Sequence, residues 1–180
     1  HILEHIDRLV EIFNACWPMY AAMPAVLKDA IERSYQKVGW DLRNSESEKG
    51  VFPTFFDLLD ILPGVIEESH YSKDTQSDYV GALCTRVKSL TNGIYGSVLC
   101  AEDALSDAEM FDQNVIVDLS RVGSMETKSL LMGILVMKLQ EYRMCSSGMN
   151  SRLRHVTVLE EAHNLLRKTS AEQSQEGANL

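Results

Sequence analysis

Two short apolar runs constrain this chain more than any other feature. Residues 114–119, Asn-Val-Ile-Val-Asp-Leu, and 155–159, His-Val-Thr-Val-Leu, are rich in β-branched side chains. Such side chains are stiff at χ1 and pack well on a pleated surface, so both runs read as strands covered on both faces. Between them lie a connection at 120–124 and the segment 125–142, METKSLLMGILVMKLQEY, which is helical in pattern and apolar on most sides. Strand, helix, strand makes one βαβ unit and predicts parallel strands with a right-handed crossover. Functional sites in such sheets lie beyond the carboxyl ends of the strands. Here those ends are Asp118-Leu119-Ser120 and Glu160-Glu161.

The residues before 100 read as helical. Ile2, Ile6, Leu9, Val10 and Phe13 share one helix face, and Trp17-Pro18 breaks or bends that helix. Met23-Pro24 opens a second helix, with Val26, Leu27, Ile31, Tyr35 and Val38 on its apolar side and Gly39 as terminator. The stretch 43–50 reads as a polar loop. Thr54, with Asp57 three residues on, caps a further helix whose buried side is Phe55, Phe56, Leu58, Leu59 and Leu62. Pro63-Gly64 signals a turn, with a short helical continuation over 65–71. The stretch 72–78 is polar, and a helix runs from Tyr79 to about Leu90 through Val80, Leu83 and Val87. Residues 94–100 read as a loop or short strand. Phe52, Phe55, Phe56, Met125, Met132 and Met137 read as core filling rather than a cofactor box. The implied division is a helical subdomain at 1–108, a βαβ portion at 109–167 and a polar tail at 168–180.

The 180 residues carry 17 Lys plus Arg against 26 Asp plus Glu, a formal net charge of −9. That balance weighs against a chain that coats a nucleic-acid backbone over its whole surface. Cys16, Cys84, Cys100 and Cys145 form no CxxC pair, so they read as reduced thiols of a cytoplasmic protein rather than zinc ligands. No run of 18 apolar residues exists to span a membrane. The sequence lacks an initiator Met and opens inside a helical pattern, and it reads as a piece of something longer.

A carboxylate at a strand end must find a cation, donors or water. Nucleotide hydrolysis supplies one reason for two of them: one holds the Mg²⁺ shell and the next orients the attacking water. Glu160 and Glu161 fit that division, and they equally suit the first turn of a helix. Asp118 reads either as a site residue or as the cap of the following turn. Arg121 follows a strand end and is the best placed of the arginines for a site beyond the sheet.

The segment from Phe111-Asp112-Gln113 to Tyr142, followed by VTVLEEAHNLL at 156–166, resembles the RecA-like ATPase core of the HerA/VirB4/FtsK group, and more narrowly the HerA-type DNA translocases. The resemblance implies an α/β fold: a partial P-loop NTPase (RecA-like) core with a large helical subdomain inserted between its halves. It implies a Walker B element in which Glu160 is associated with Mg²⁺, through water, and Glu161 is the catalytic glutamate. His163 would follow as a sensor or coupling residue, beside Asp118 and Arg121. It implies ATP and Mg²⁺ as cofactors, a hexameric homo-oligomer, double-stranded DNA as substrate, and a nuclease or other accessory protein as a further partner. A Walker A motif, GxxxxGK followed by Ser or Thr, is absent from all 180 residues. The isolated chain is therefore expected to bind ATP poorly, whatever the activity of its parent.

The leading expectation is a portion of an ATP-hydrolysing DNA translocase that carries Walker B without the P-loop. The alternatives are a non-catalytic helical interaction or assembly domain, with residues 1–100 as its surface, and a degenerate ATPase domain. Two parallel strands alone make a poor sheet, so exposed apolar edges are expected, covered by self-association or by partner strands.

Overall fold

The computed structural model describes residues 1–101, 104–146, 152–160 and 162. The chain divides into two compact units. The first comprises His1–Val10 and Met19–Ala104; the second comprises Glu11–Pro18 and Leu105–Leu180.

The first unit is helical. The helix α1 (Ile2–Cys16) gives it Ile2, Ile6 and Val10 as buried side chains, at the spacing of one helix face. Ala22 precedes α2 (Met23–Lys37), which has Pro at its start, where the missing N–H costs nothing. Gly39 follows with φ +97°, in the left-handed region that favours glycine. The chain then makes a minimal hairpin: β1 (Trp40–Asp41) pairs antiparallel with β2 (Glu46–Ser47), Trp40 opposite Ser47. The expected polar loop at 43–50 therefore holds a strand. The Asp41 carboxylate turns the chain by accepting from the backbone N–H of Arg43 (2.9 Å) and the side chain of Asn44 (2.7 Å).

The helix α3 (Phe55–Glu68) packs against α2 and α5 and buries Leu58, Leu62, Val65 and Ile66. Its start is the expected cap: the Asp57 carboxylate accepts from the Thr54 N–H (2.8 Å) and hydroxyl (2.9 Å). Pro63-Gly64 does not end it. Both residues are exposed, so water can serve the carbonyl that Pro63 leaves without a donor, while Val65 and Ile66 hold the helix to the core. Phe52 and Phe56, expected inside, are exposed. Phe52 instead stacks on Trp40, ring centroids 4.9 Å apart.

The next helix starts earlier than its apolar pattern suggests. The Ser72 hydroxyl accepts from the Thr75 N–H and caps α4 (Lys73–Tyr79), which continues through a π-helical segment (Val80–Cys84) into α5 (Thr85–Thr91). Tyr79, Leu83, Val87 and Leu90 are buried, whereas Val80 is exposed. Gln76 is buried and donates to the carbonyls of Glu67 (3.2 Å) and Ser69 (2.8 Å), tying α4 to the end of α3. Residues expected to form a loop or strand are α6 (Gly93–Leu99). A Cβ on Gly96 would lie 2.1 Å from the Thr91 carbonyl oxygen, so only glycine lets α6 fold back on the end of α5.

The second unit holds α7 (Asp107–Phe111) and the long α8 (Met125–Ser146). A capping box closes the start of α7, with Glu109 accepting from the Ser106 N–H (2.9 Å) and hydroxyl (2.7 Å). Leu130, Met137 and Phe111 are buried, as are Phe13 and Cys16 at the end of α1 and Trp17 just after it.

The expected α/β fold is overturned. Among the described residues the only sheet is the two-stranded hairpin β1-β2. The runs 114–119 and 155–159 are neither helical nor paired, so no βαβ unit and no RecA-like P-loop core is present there. The physical reason is neighbourhood. A parallel pair is weaker per residue than an antiparallel one, and two strands alone are marginal in water. The resemblance to HerA-type ATPases fails on the same ground, because that fold needs an extended parallel sheet.

Leu62 is fully buried at the centre of α3. Leu62→Ala should lower the unfolding free energy by about 3 kcal/mol in urea titrations, and a loss below ~1 kcal/mol would contradict this core. Gly96→Ala should cost about 1–3 kcal/mol, because the obstructing atom is backbone. A neutral result would place α6 elsewhere.

Candidate docking surface

The second unit presents its apolar runs around a polar anchor. Asp112 accepts from the Tyr142 hydroxyl (2.5 Å) and from Arg143 (2.7 Å). The other arm of Arg143 donates to the Phe111 carbonyl at 2.6 Å. Nδ1 of His155 meets the same carbonyl at 3.0 Å, and Nε2 lies 2.8 Å from the Thr157 hydroxyl. Since a carbonyl only accepts, Nδ1 carries a proton and donates it to Phe111. The Phe111 ring meets Tyr142 and His155 edgewise or tilted at centroid distances of 6.0 and 6.3 Å.

This anchor pins the entrance of the first run and His155 of the second beside the last turns of α8. The Asp112 carboxyl is held below the ordinary carboxylate range, first by the Tyr142 hydroxyl and then by Arg143. The same bond pushes the Tyr142 phenol above its usual value. Nothing in one sequence pairs Asp112 with residues thirty positions away, so these four residues were invisible to pattern reading.

Beyond the anchor the side chains are bare. Ile116 is 94% exposed, Val156 71% and Val158 81%, and Val115, Val117, Leu153 and Leu159 are exposed too. On α8, Leu131, Met132, Ile134 and Leu135 are only half-buried and Val136 is exposed. A helix apolar on most sides is ordinarily covered on most sides. Large apolar side chains exposed in this number within two short runs are the material of an interaction site.

Of the residues expected to carry chemistry, Asp118, Arg121 and Glu160 are described. Asp118 caps the turn after the first run, its carboxylate accepting from the Ser120 N–H at 2.8 Å. Its carboxyl is held low chiefly by the Ser120 hydroxyl and N–H. Arg121 is exposed in that turn, and Glu160 is exposed in the turn after the second run. Among the described residues no hydrogen bond or ion pair joins Glu160, Asp118 and Arg121. Glu161 and His163 lie outside the described residues. Among the described residues no group of three or more His, Cys, Asp or Glu side chains stands ready for a metal ion. The four cysteines are free, with Cys16 buried and Cys145 exposed; burial pushes the Cys84 and Cys100 thiols up. No described helix is long and apolar enough to cross a membrane.

The expectation of a Walker B motor portion is corrected by this geometry. A DNA translocase needs a nucleotide-binding sheet whose strand ends present these carboxylates, and no such sheet exists among the described residues. No protein-family model, curated protein or solved structure matches the chain.

The anchor has a definite pH window. Asp112, depressed in the folded state, contributes stability that is complete above about pH 4 and lost as pH falls through its folded value. Tyr142, raised in the folded state, contributes below about pH 10 and loses this as pH rises through its folded value. Tyr142 should therefore ionise later than an unperturbed tyrosine, read at 295 nm as the difference between wild type and Tyr142→Phe. Asp112→Asn should bring that step to lower pH, and an unmoved step would mean the bond does not form.

Proposed function

We propose that this chain is a non-catalytic assembly module: a helical scaffold that carries an apolar docking surface on its second unit. The observation that carries the reading is the exposure of Val115, Ile116, Val117, Leu153, Val156, Val158 and Leu159, β-prone or apolar side chains that no ladder joins among the described residues. Support comes from the half-covered α8, where Leu131, Met132, Ile134 and Leu135 are half-buried and Val136 is exposed. The closed core of the first unit, by contrast, has the character of a platform: Leu62, Leu83, Leu90 and Tyr79 are sealed, and its polar links run between neighbouring helices.

Hydrogen exchange and a hydrophobic dye test this together. Amides in 114–118 and 153–159 should exchange without protection, while those around Leu62 and Leu83 are slow. The dye should fluoresce with the wild-type chain and lose more than half its signal in the double variant Ile116→Lys, Val158→Lys. That variant should keep its helical circular dichroism. Protected amides together with a silent dye would mean that the chain covers these runs itself, and the docking reading would fall.

A further inference from the structure

We propose that the segment 154–160 pairs antiparallel with the same segment of a second copy of this chain, around a two-fold axis at Thr157. The proposal rests on the docking reading and names its partner.

The argument is register and charge. Pairing extends this segment and draws Glu160 out of its turn into the ladder; alternate residues of a strand share a face, so Arg154, Val156, Val158 and Glu160 then fall together. All four are exposed. Centring an antiparallel pair on Thr157 sets Val156 opposite Val158 of the second copy, and Arg154 opposite Glu160. The two-fold axis repeats both matches. One face of the ribbon then carries two Val–Val contacts flanked by two Arg–Glu pairs. Directly opposed side chains have Cβ atoms about 4.5–5.5 Å apart, close enough for each match to act.

The competing arrangements are poorer. Parallel pairing in register sets Arg154 beside Arg154 and Glu160 beside Glu160, like charges at both ends. Pairing 154–158 with 114–118 of the second copy offers one opposite-charge match per ladder, Asp118 with Arg154, where the ladder centred on Thr157 offers two. The His155 side chain, held on the Phe111 carbonyl, keeps its segment beside the chain's own anchor, which reduces the ordering needed on pairing. A seven-residue ladder covers less than the ~1,000 Å² of a stable interface, so the dimer should be weak and concentration-dependent.

Sedimentation velocity over a concentration series tests the pairing, with circular dichroism as the check on folding. Wild type should shift reversibly from monomer to dimer. Arg154→Glu and Glu160→Arg should each weaken dimerisation about tenfold or more, and the double exchange R154E/E160R should restore it. Ile116→Lys should leave it within about twofold. In a Cys145→Ser background, Thr157→Cys should give a disulfide-linked dimer on mild oxidation, because opposed Cα atoms at the axis lie within disulfide reach.

A dimer indifferent to both charge reversals, or one abolished by Ile116→Lys, overturns this register. Absence of a dimer at all concentrations, with dye binding intact, overturns self-pairing and leaves the docking reading standing. Absence of both dimer and dye binding removes both.

Discussion

A helix closes its backbone hydrogen bonds within one segment, whereas a strand closes them only against a neighbour. That asymmetry decides what this chain can complete alone. From 55 to 99 nearly every backbone group is served inside a helix or at its cap. At 114–118 and 153–159 no ladder forms among the described residues, and most of the side chains are exposed. Covering a Val or Ile side chain is worth roughly 1.5–3 kcal/mol. Several such side chains together rival the ~4–15 kcal/mol of freedom lost on association. The free energy available for docking is therefore concentrated in these two runs and the half-covered faces of α8.

Within the first unit, α3 shows how tertiary burial outranks local signals. Pro63 and Gly64 are both poor interior helix residues, and Pro carries a penalty of about 3 kcal/mol. The helix continues because both lie on its wet side, while Leu62, Val65 and Ile66 on either side of them are nearly sealed. The surface ion pairs around it, Lys37 with Asp60 and Arg33 with Glu68, are exposed and add little by comparison. Packing and caps hold this unit, and charge decorates it.

Local chemistry was therefore readable where it acts over a few residues. The Thr54–Asp57 cap, the proline at the start of α2 and the positive φ at Gly39 follow from residue types at short spacing. So does the buried stripe Ile2, Ile6, Val10. What misled was the reading of β-branched runs as a sheet, because Val115-Ile116-Val117 records a preference and says nothing about whether a partner strand exists. Short helices with polar sequences, such as α4, escaped for a related reason: Ser72 starts that helix, and its apolar residues come only later. The anchor at Asp112, Tyr142, Arg143 and His155 escaped because its members meet only after α8 has returned the chain.

The placement of charge at the ends of the bare runs has its own consequence. Natural sheet edges are blunted by Lys or Pro within the strand, by bulges or by a covering element. Neither 114–118 nor 155–159 contains a Lys or a Pro. Their charges stand at the margins: Asp118 on one run, Arg152, Arg154 and Glu160 on the other. Charges at the margin do not forbid pairing, since the Val side chains between them remain free to meet. They select its direction. An in-register parallel stack, the arrangement that grows into fibrils, would pile Arg on Arg and Glu on Glu at every layer. An antiparallel pair turns the same residues into attraction, so the charge pattern of 154–160 opposes the open-ended assembly and favours the two-fold one.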